Sequence, residues 1–502
     1  MRTLAIDIET YSDVSLPDCG VHKYVSSEQF EILLFAYSAD DEDTRIIDMA
    51  SGEELPDEVM DALKDDSVIK TAYNAVFERI CISKYFGLSL KPEAWRCTLV
   101  QASMLSLPLS LEGVGEALHL DKKKMGEGKE LIRYFCMPCK ATKTNGGRTR
   151  NLPDDAPDKW ELFKTYCIRD VDVEKQIRKK LEKYPIPDRE QELYCMDQRI
   201  NDRGIMVDTG LVEKAIACDL LYKEAATKKA YELSGLENPN SVSQLKGWLE
   251  EKGIEADSLA KKTVEELVDK TDGDVKKMLK LRLAMSKTSV KKYEAMERSV
   301  CPDGRVHGLL QFYGANRTGR WAGRLVQIHN LPQNHMEDLE LARSIVKEGR
   351  FDLIELFYDS TPEVLSELIR TAFVAKPRCR FIVSDFSAIE ARVMGYLAGE
   401  DWVMEEFCGA GKIYEQTAAK MFHIPIEKIT KGSPYRARGK VASLACQYGG
   451  AEGALISMGA LNFVEEEELP GLVQSWRNAN PHIVFWSSFF VTKTTDKFHM
   501  CR

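Results

Sequence analysis

The chain reads as an α/β domain, then a mostly helical and highly charged middle, then a second α+β region. Three observations carry that reading. Over residues 1–185 short apolar strand-like runs alternate with helix-like runs. Residues 188–300 hold long charged stretches with helical spacing. From Arg380 onward strand-like and helix-like runs alternate again. With 502 residues, two to four domains are expected, and a hydrophobic content of 44% suffices for packed cores.

In order along the chain, Leu4–Ile8, Ile32–Tyr37 and Val68–Tyr73 are apolar runs rich in β-branched and aromatic residues, and are predicted strands. Lys159–Tyr184 is a predicted long charged helix. Pro185-Ile186-Pro187 breaks the chain and marks the best single boundary. Gln191–Arg203 is a helix closed by Gly204, and Val207-Asp208 opens the next unit. Ser241–Lys252 and Lys276–Met296 are predicted amphipathic helices. Lys276, Lys277, Lys280, Arg282, Lys287, Lys291 and Lys292 make the last one basic. That face is either simply solvated or grips a phosphate backbone. Residues 301–335 are polar and turn-rich. The predicted domains are 1–187, 188–300 and 301–502.

Bulk properties set limits. The net charge of −10 argues against a generally basic surface, but a local basic groove on an acidic protein can still bind nucleic acid. The 13 scattered cysteines form no framework and suit a reducing cytoplasm. Met1 opens a strand-like run with two acids, which predicts no secretory leader. No apolar stretch reaches the roughly 18 residues needed to span a bilayer, so no membrane partner is expected.

The strongest chemical signal lies in Leu4-Ala5-Ile6-Asp7-Ile8-Glu9-Thr10. A strand alternates its side chains, so Asp7 and Glu9 share one face and Ile6 and Ile8 the other. Two carboxylates on one buried face repel unless a cation separates them or one keeps its proton. Paired divalent metals about 4 Å apart are the usual device for phosphodiester cleavage. Further acids come from two places. In Asn74-Ala75-Val76-Phe77-Glu78, an Asn after a strand starts a helix with Glu78 one turn on. In Tyr166-Cys167-Ile168-Arg169-Asp170, Tyr166 and Asp170 are four apart and share a helix face. Asn74 as a mere cap, and Asp170 as a surface charge no different from Asp172, are the plainer alternatives.

A second acidic strand end is predicted at Arg380-Phe381-Ile382-Val383-Ser384-Asp385, a buried strand ending in a candidate metal ligand. Ser387 and Glu390 then form an S-x-x-E capping box, which by itself gives Glu390 a purely structural task. Ser433-Pro434 starts a helix on which Arg436, Lys440, Leu444 and Tyr448 recur every four residues before Gly449-Gly450. Arg436 and Lys440 are like charges one turn apart. They are either solvent-exposed or beside an anion such as a triphosphate.

Taken together and in order, Asp7, Glu9, Glu78, Tyr166 and Asp170 resemble the motifs of 3′–5′ proofreading exonucleases, in which a Tyr stands four residues before the last acid. Glu78 departs from the commoner Asp by one methylene. Asp385 to Arg392 is similar to the D-Y-S-x-I-E-x-R block of family A DNA polymerases, the bacterial polymerase I class and its phage relatives. Arg436 to Gly449 is similar to R-x3-K-x3-F/Y-x3-Y-G, with Leu444 in place of the aromatic. Thr318-Gly319-Arg320 and Asn330-Leu331-Pro332-Gln333-Asn334 are a third match. The resemblance extends from residue 1 to about residue 490.

What the resemblance implies is specific. The first domain would be a ribonuclease H-like mixed sheet with helices. Residues 188–300 would be the thumb, and the rest an incomplete palm and fingers. Asp7, Glu9 and Asp170 would bind metal while Tyr166 orients the attacking water, with two Mg²⁺ or Mn²⁺ ions in each active site. Asp385 would bind both polymerase metals. Glu390 and Tyr448 would exclude a 2′-OH, Arg436 and Lys440 would hold the triphosphate, and Arg392 and Leu444 would complete the nucleotide site. Arg320 and Gln333 would contact the minor-groove edge at the primer end, where every base pair presents acceptors. The partners would be a primer–template, a single-stranded 3′ end and dNTPs, in a bacterial host or a phage-infected cell.

Two further readings stand beside it. A two-metal palm needs a second carboxylate, which in family A lies in a His-Asp-Glu turn. No His here is followed by Asp-Glu, and the late acids are Glu452, Glu465–Glu468 and Asp496. The expectation is a polymerase cut before its last motif, with excision active alone and synthesis crippled or dependent on a second polypeptide. The rivals are a stand-alone exonuclease and a noncatalytic DNA-binding remnant. Cys136-Met137-Pro138-Cys139 resembles half a zinc site without a second half. Lys140, Lys143, Arg148 and Arg150 form a basic loop that either meets single-stranded DNA or is merely solvated.

Overall fold

Alternation in the first forty residues builds the sheet that positions everything else in the first domain. The structure, a computed structural model, describes residues 1–120, 126–286, 290–315 and 317–488. It divides into two units, Met1–Arg380 and Phe381–Arg502.

In the first unit, β1 (Thr3–Tyr11), β2 (Glu31–Ala39), β3 (Arg45–Asp48), β4 (Ile69–Ala72) and β5 (Trp95–Cys97) form one sheet in the order β3-β2-β1-β4-β5. β1 pairs antiparallel with β2 and parallel with β4, so the sheet is mixed. The pairing of β1 with β2 slips between Glu9 and Thr10, because Glu9 faces Leu34 whereas Thr10 faces Ile32. Leu33 is therefore the extra residue of a bulge. Helix α1 (Ala75–Phe86) packs on one face of the sheet, with Ile80, Cys81 and Ile82 joining Ile6, Ile8, Phe35 and Tyr37 in one core. Helices α2 (Gly128–Phe135) and α3 (Pro157–Leu181) cover the other face, where Ala5, Leu34 and Ala36 meet Phe135, Phe163 and Val171. The strands predicted within residues 1–185 and the long helix are all present.

Beyond the Pro185–Pro187 break, α4 (Asp188–Arg203) ends at Gly204 and packs back on the first domain. The buried Arg79 of α1 joins them by donating to Asp202 Oδ1 at 2.7 Å. β6 (Ile205–Val207) follows, then α5 (Thr209–Ser234), whose first turn is capped by the Asp208 carboxylate at Leu211 N. α6 (Val242–Glu251), α7 (Lys261–Lys270) and α8 (Gly273–Met285) pack on the far half of α5 around Trp248, Leu249 and Leu279.

The single helix predicted over Lys276–Met296 is two helices. α8 ends at Met285 and α9 (Lys291–Ser299) begins after Val290, while Lys287 lies outside the described residues. Their cores differ: Leu279 and Met285 pack with Trp248, whereas Tyr293 and Met296 pack with Leu211 and Leu365. Residues 301–335 are less irregular than predicted. β7 (Arg305–Val306) joins β6 and β10 (Phe373–Val374) in a three-stranded sheet, and β8 (Leu310–Ala315) pairs with β9 (Arg320–Gly323) as a hairpin.

The regular secondary structure of the second unit is all helical among its described residues. α10 (Ile389–Ala398), α11 (Ile413–Phe422), α12 (Pro434–Cys446) and α13 (Leu469–Ala479) enclose a core including Met394, Met421, Leu455 and Trp476. The predicted buried strand at 380–385 is not formed. Ile382 and Val383 are 85% and 90% exposed, and no strand among the described residues pairs with the segment. An apolar run has strand composition, but it becomes a strand only when neighbours take its backbone donors and acceptors.

Candidate functional sites

The first centre sits where β1 meets α3. Alternation turns Asp7 and Glu9 toward α3, and α3 offers Tyr166, Cys167 and Asp170 on the turns that face the sheet. Glu9, Asp170 and Tyr166 are buried, while Asp7 is half-buried. Tyr166 hydrogen-bonds to Asp170, and its ring lies parallel to Phe163 with centroids 6.0 Å apart. Burial, and then the charges of Glu9, Asp170 and Asp7, push the phenol far above its ordinary range, so it remains a proton donor. Gly128 of α2 lies on this ring, where a Cβ would come within 2.1 Å of Tyr166 Cε2.

Glu78 enters from the first turn of α1. Asn74 stands at the cap position but its side chain makes no capping bond, so the plain reading of Asn74 gains nothing. Glu78 is 5% exposed, and its Oε2 has no hydrogen-bond partner among the described residues. Burial holds its carboxyl well above the usual range, and the neighbouring Asp7 adds to the effect. The structure also separates Asp170 from Asp172. Asp172 accepts from Thr44 Oγ1 at 2.6 Å and ties α3 to the segment after β2, away from the cluster.

Sequence reasoning did not bring two thiols to this cluster. Cys167 Sγ lies 3.5 Å from Asp7 Oδ2, and Cys136 Sγ lies 3.8 Å from Glu9 Oε2. Asp7, Glu9 and Cys167 each offer a ligand atom, all within 4.8 Å of one another. The available signal was spacing, since Cys167 precedes Asp170 by three and so shares its side of the helix. A cluster of buried acids containing an unsatisfied carboxylate oxygen suits a divalent cation. In the basic loop, Arg150 lies 3.8 Å over the Tyr11 ring and pairs with Glu31, and Arg148 pairs with Asp155, while Lys140 and Lys143 are exposed.

Other predicted residues of the first unit line a cleft of mixed charge and a hairpin. A cleft of about 1280 Å³ is lined by Lys229, Lys261, Lys277, Lys280 and Lys292, and also by Glu232, Glu265, Asp359 and Glu363. Arg320 opens β9 and is exposed, as is Gln333. The carbonyls before Gln333, of Leu331 and Pro332, accept from Arg370 at 3.1 and 2.5 Å. Trp321, next to Arg320, donates its indole N–H to Asp197 at 2.8 Å. Asp197 is buried on α4, and desolvation pushes its carboxyl up to about 6 despite bonds from Trp321, Gln198 and Asn201.

In the second unit Asp385 is exposed. The capping box is not formed: Ala388, in a left-handed conformation at φ 51°, is the cap residue, and Ser387 makes no capping bond. Glu390 is thereby released, and its Oε2 accepts from Gln447 Nε2 at 3.4 Å. Arg392 donates to the Ser387 carbonyl at 2.9 Å and lies 4.1 Å over Phe407. Ser433 caps α12 as predicted, accepting from Tyr435 N. Arg436 bonds Glu415 at 2.6 Å, a partner the sequence pattern did not reveal, whereas Lys440 is exposed. Leu444 is half-buried. α12 stops at Cys446, so Tyr448 lies beyond the helix rather than on it and is 57% exposed.

The chain as a whole has close counterparts. A family model for DNA polymerase family A matches residues 221–487. The DNA polymerase of Bacillus phage SP02 is 57% identical over 489 residues, covering 97% of this chain and 76% of that protein. The chain belongs to DNA polymerase family A. Its reaction class is DNA-directed nucleotidyl transfer in DNA replication, for which this family uses divalent metal ions. More distantly, this family A member is 26% identical over 293 residues to DNA polymerase I of Pseudomonas aeruginosa, covering 53% of this chain and 28% of that one. Among solved structures, the POL domain of Pol1 from M. smegmatis, in complex with DNA primer-template and dNTP, matches with a TM-score of 0.63 at 19% identity. It covers 98% of this chain and 75% of that one. At that identity the likeness speaks for the fold. No helix among the described residues is long and apolar enough to cross a membrane.

Proposed function

We propose that this chain joins a 3′–5′ proofreading exonuclease, residues 1–187, to a thumb at 188–300 and to palm and fingers segments at 301–502. The observation that carries the exonuclease reading is the convergence of Asp7, Glu9, Tyr166 and Asp170, with the unsatisfied Glu78 oxygen beside them. Asp7, Glu9 and Asp170 would hold two divalent ions, Mg²⁺ or Mn²⁺, which when bound supply Lewis acidity at the scissile phosphate and ease deprotonation of the attacking water. Tyr166 keeps its proton and orients that water, and Asp170 fixes the phenol. Glu78 reaches the cluster from α1 with one methylene more than an aspartate. The single-stranded 3′ end would approach beside the basic loop.

Polymerisation would use Asp385 as metal ligand, Arg436 and Lys440 for the triphosphate, Glu390 and Tyr448 against a 2′-OH, Arg392 and Leu444 around the nucleotide, and Arg320 and Gln333 at the primer end. The primer–template would lie along the lysine-lined cleft, where ammonium groups neutralise phosphates. Arg436 would have to share its guanidinium between Glu415 and the anion. The site of action would be the cytoplasm of a bacterial or phage-infected cell.

A second reading, in which the chain alone only excises, is favoured by the exposed segment at Phe381–Asp385. A second polypeptide that pairs with this segment would complete the palm. The test is a labelled primer on a longer template with Mg²⁺, with and without dNTPs. Extension by the chain alone supports the polymerase and removes the excision-only reading. Shortening in both lanes supports the exonuclease and leaves synthesis to a second polypeptide. No change in either lane removes both activities and leaves a DNA-binding role.

A further inference from the structure

The chemistry of one donor at the first centre sets it apart from an all-oxygen site. Cys167 Sγ stands 3.5 Å from Asp7 Oδ2 and belongs with Asp7 and Glu9 to a set of ligand atoms all within 4.8 Å of one another. Bonds of about 2.3 Å from Zn²⁺ to sulfur and about 2.1 Å to oxygen, at a tetrahedral angle, put the two donors about 3.6 Å apart. The observed separation already has that value without rearrangement. The thiol is fully buried, and its S–H donates to Asp7 Oδ2 and, at 3.7 Å, to the Asp7 carbonyl. Independently, Glu78 Oε2 is buried without a hydrogen-bond partner among the described residues, and Asp7 lies within electrostatic reach of that carboxyl.

We propose that Cys167 Sγ joins Asp7 and Glu9 as a ligand of the divalent centre, giving it a mixed sulfur–oxygen donor set that takes thiophilic cations of the Zn²⁺ and Cd²⁺ class. The inference rests on the reading of Asp7 and Glu9 as metal ligands and adds the class of metal. Hard cations such as Mg²⁺ prefer oxygen ligands and water, whereas a thiolate selects Zn²⁺ and its softer relatives. When the sulfur–metal bond forms, the S–H bond breaks and one proton passes to solvent for each ion bound. Cys136, on the side of Glu9, is the internal control, because it touches one carboxylate and not the triad.

The experiment is Co²⁺ loading of the full chain, read by absorption. The expected result is a near-ultraviolet sulfur-to-cobalt charge-transfer band that is lost in Cys167→Ser and kept in Cys136→Ala. Cd²⁺ affinity should fall at least about tenfold in Cys167→Ser. Cobalt binding without the band, or a band that survives Cys167→Ser, overturns the proposal. Should Cys167→Ser fail to fold, the ¹¹³Cd resonance of the wild type decides: a shift in the sulfur-ligated range supports the thiol, and one in the all-oxygen range removes it. Mg²⁺-driven excision of a mismatched primer end is measured on the same wild-type preparation. Excision without the band keeps the exonuclease and rejects the thiol ligand. The band without excision keeps the thiol ligand and rejects the exonuclease.

Discussion

Asp7 and Asp385 each belong to a short apolar run with strand composition, yet the two runs end in different states. The run around Asp7 is β1, paired on both sides by β2 and β4 and covered by α3. Its carboxylates are placed by the sheet, and Tyr166, Cys167 and Asp170 are placed against them. The run before Asp385 has no strand beside it among the described residues, and Phe381, Ile382, Val383 and Phe386 face solvent. The difference teaches that composition nominates a strand but pairing makes one, and only a made strand can fix an acid to within the tolerance a metal centre demands.

The comparison breaks most sharply by removing one acid from each run. Asp7→Asn should lower the rate of 3′-end excision by more than about 100-fold, whereas Asp385→Asn should leave excision unchanged, as measured on a labelled single strand. Equal losses would mean that the two runs serve one reaction.

Second in size is a pH effect in the part of the first unit that is built. Asp197 is an acid whose carboxyl is pushed up to about 6 by burial, from an ordinary value of 3.8. The folded chain therefore binds the proton more tightly than the unfolded chain. The sign follows: stability is greatest below pH about 4 and falls as pH rises through about 6, by up to about 3 kcal/mol from this group. Urea titrations of the wild type and Asp197→Asn across that window should differ by this slope, with Trp321 fluorescence as a local probe.

Third, Lys440→Ala should weaken dNTP binding roughly 10- to 100-fold by calorimetry, the loss of one charge-assisted contact to a triphosphate. Arg436 is already held by Glu415, so Glu415→Gln should tighten binding by releasing it. The smallest expected effect is that of Gly128→Ala. Its Cβ would meet the Tyr166 ring, which costs about 1–3 kcal/mol of stability in thermal or urea unfolding and slows excision by moving the phenol.

Legibility followed the range of the forces involved. β1, β2, β4 and the long helix α3 were readable because alternation and helical spacing are local patterns. The facing of Asp7 and Glu9, and the pairing of Tyr166 with Asp170, followed directly from them. The capping box at Ser387 failed because tertiary packing put Ala388 in the left-handed region and gave Glu390 to Gln447 instead. The helix at Lys276–Met296 failed because its two halves belong to different cores. Cys167 and Gly128 escaped notice, and Cys136 was read only as half a zinc site, because a cysteine or a glycine within a helical pattern carries no chemistry until the fold shows what stands beside it. The Glu415–Arg436 pair joins two helices, which no local pattern records.

The bulge in β2 has one more consequence, for the lengths this domain tolerates. Leu33 has no partner of its own on β1, and Leu33 and Leu34 both face the α3 side while Ile32 and Phe35 face the other. A chain shortened by Leu33 alone would keep every other residue of β2 on its present face, at the expense of the void the leucine leaves. Loss of Phe35 instead would turn Leu34 toward α1. The strand opposite Glu9 thus carries one spare position in its count, and a deletion there is the one the sheet can absorb without reversing the faces of its neighbours.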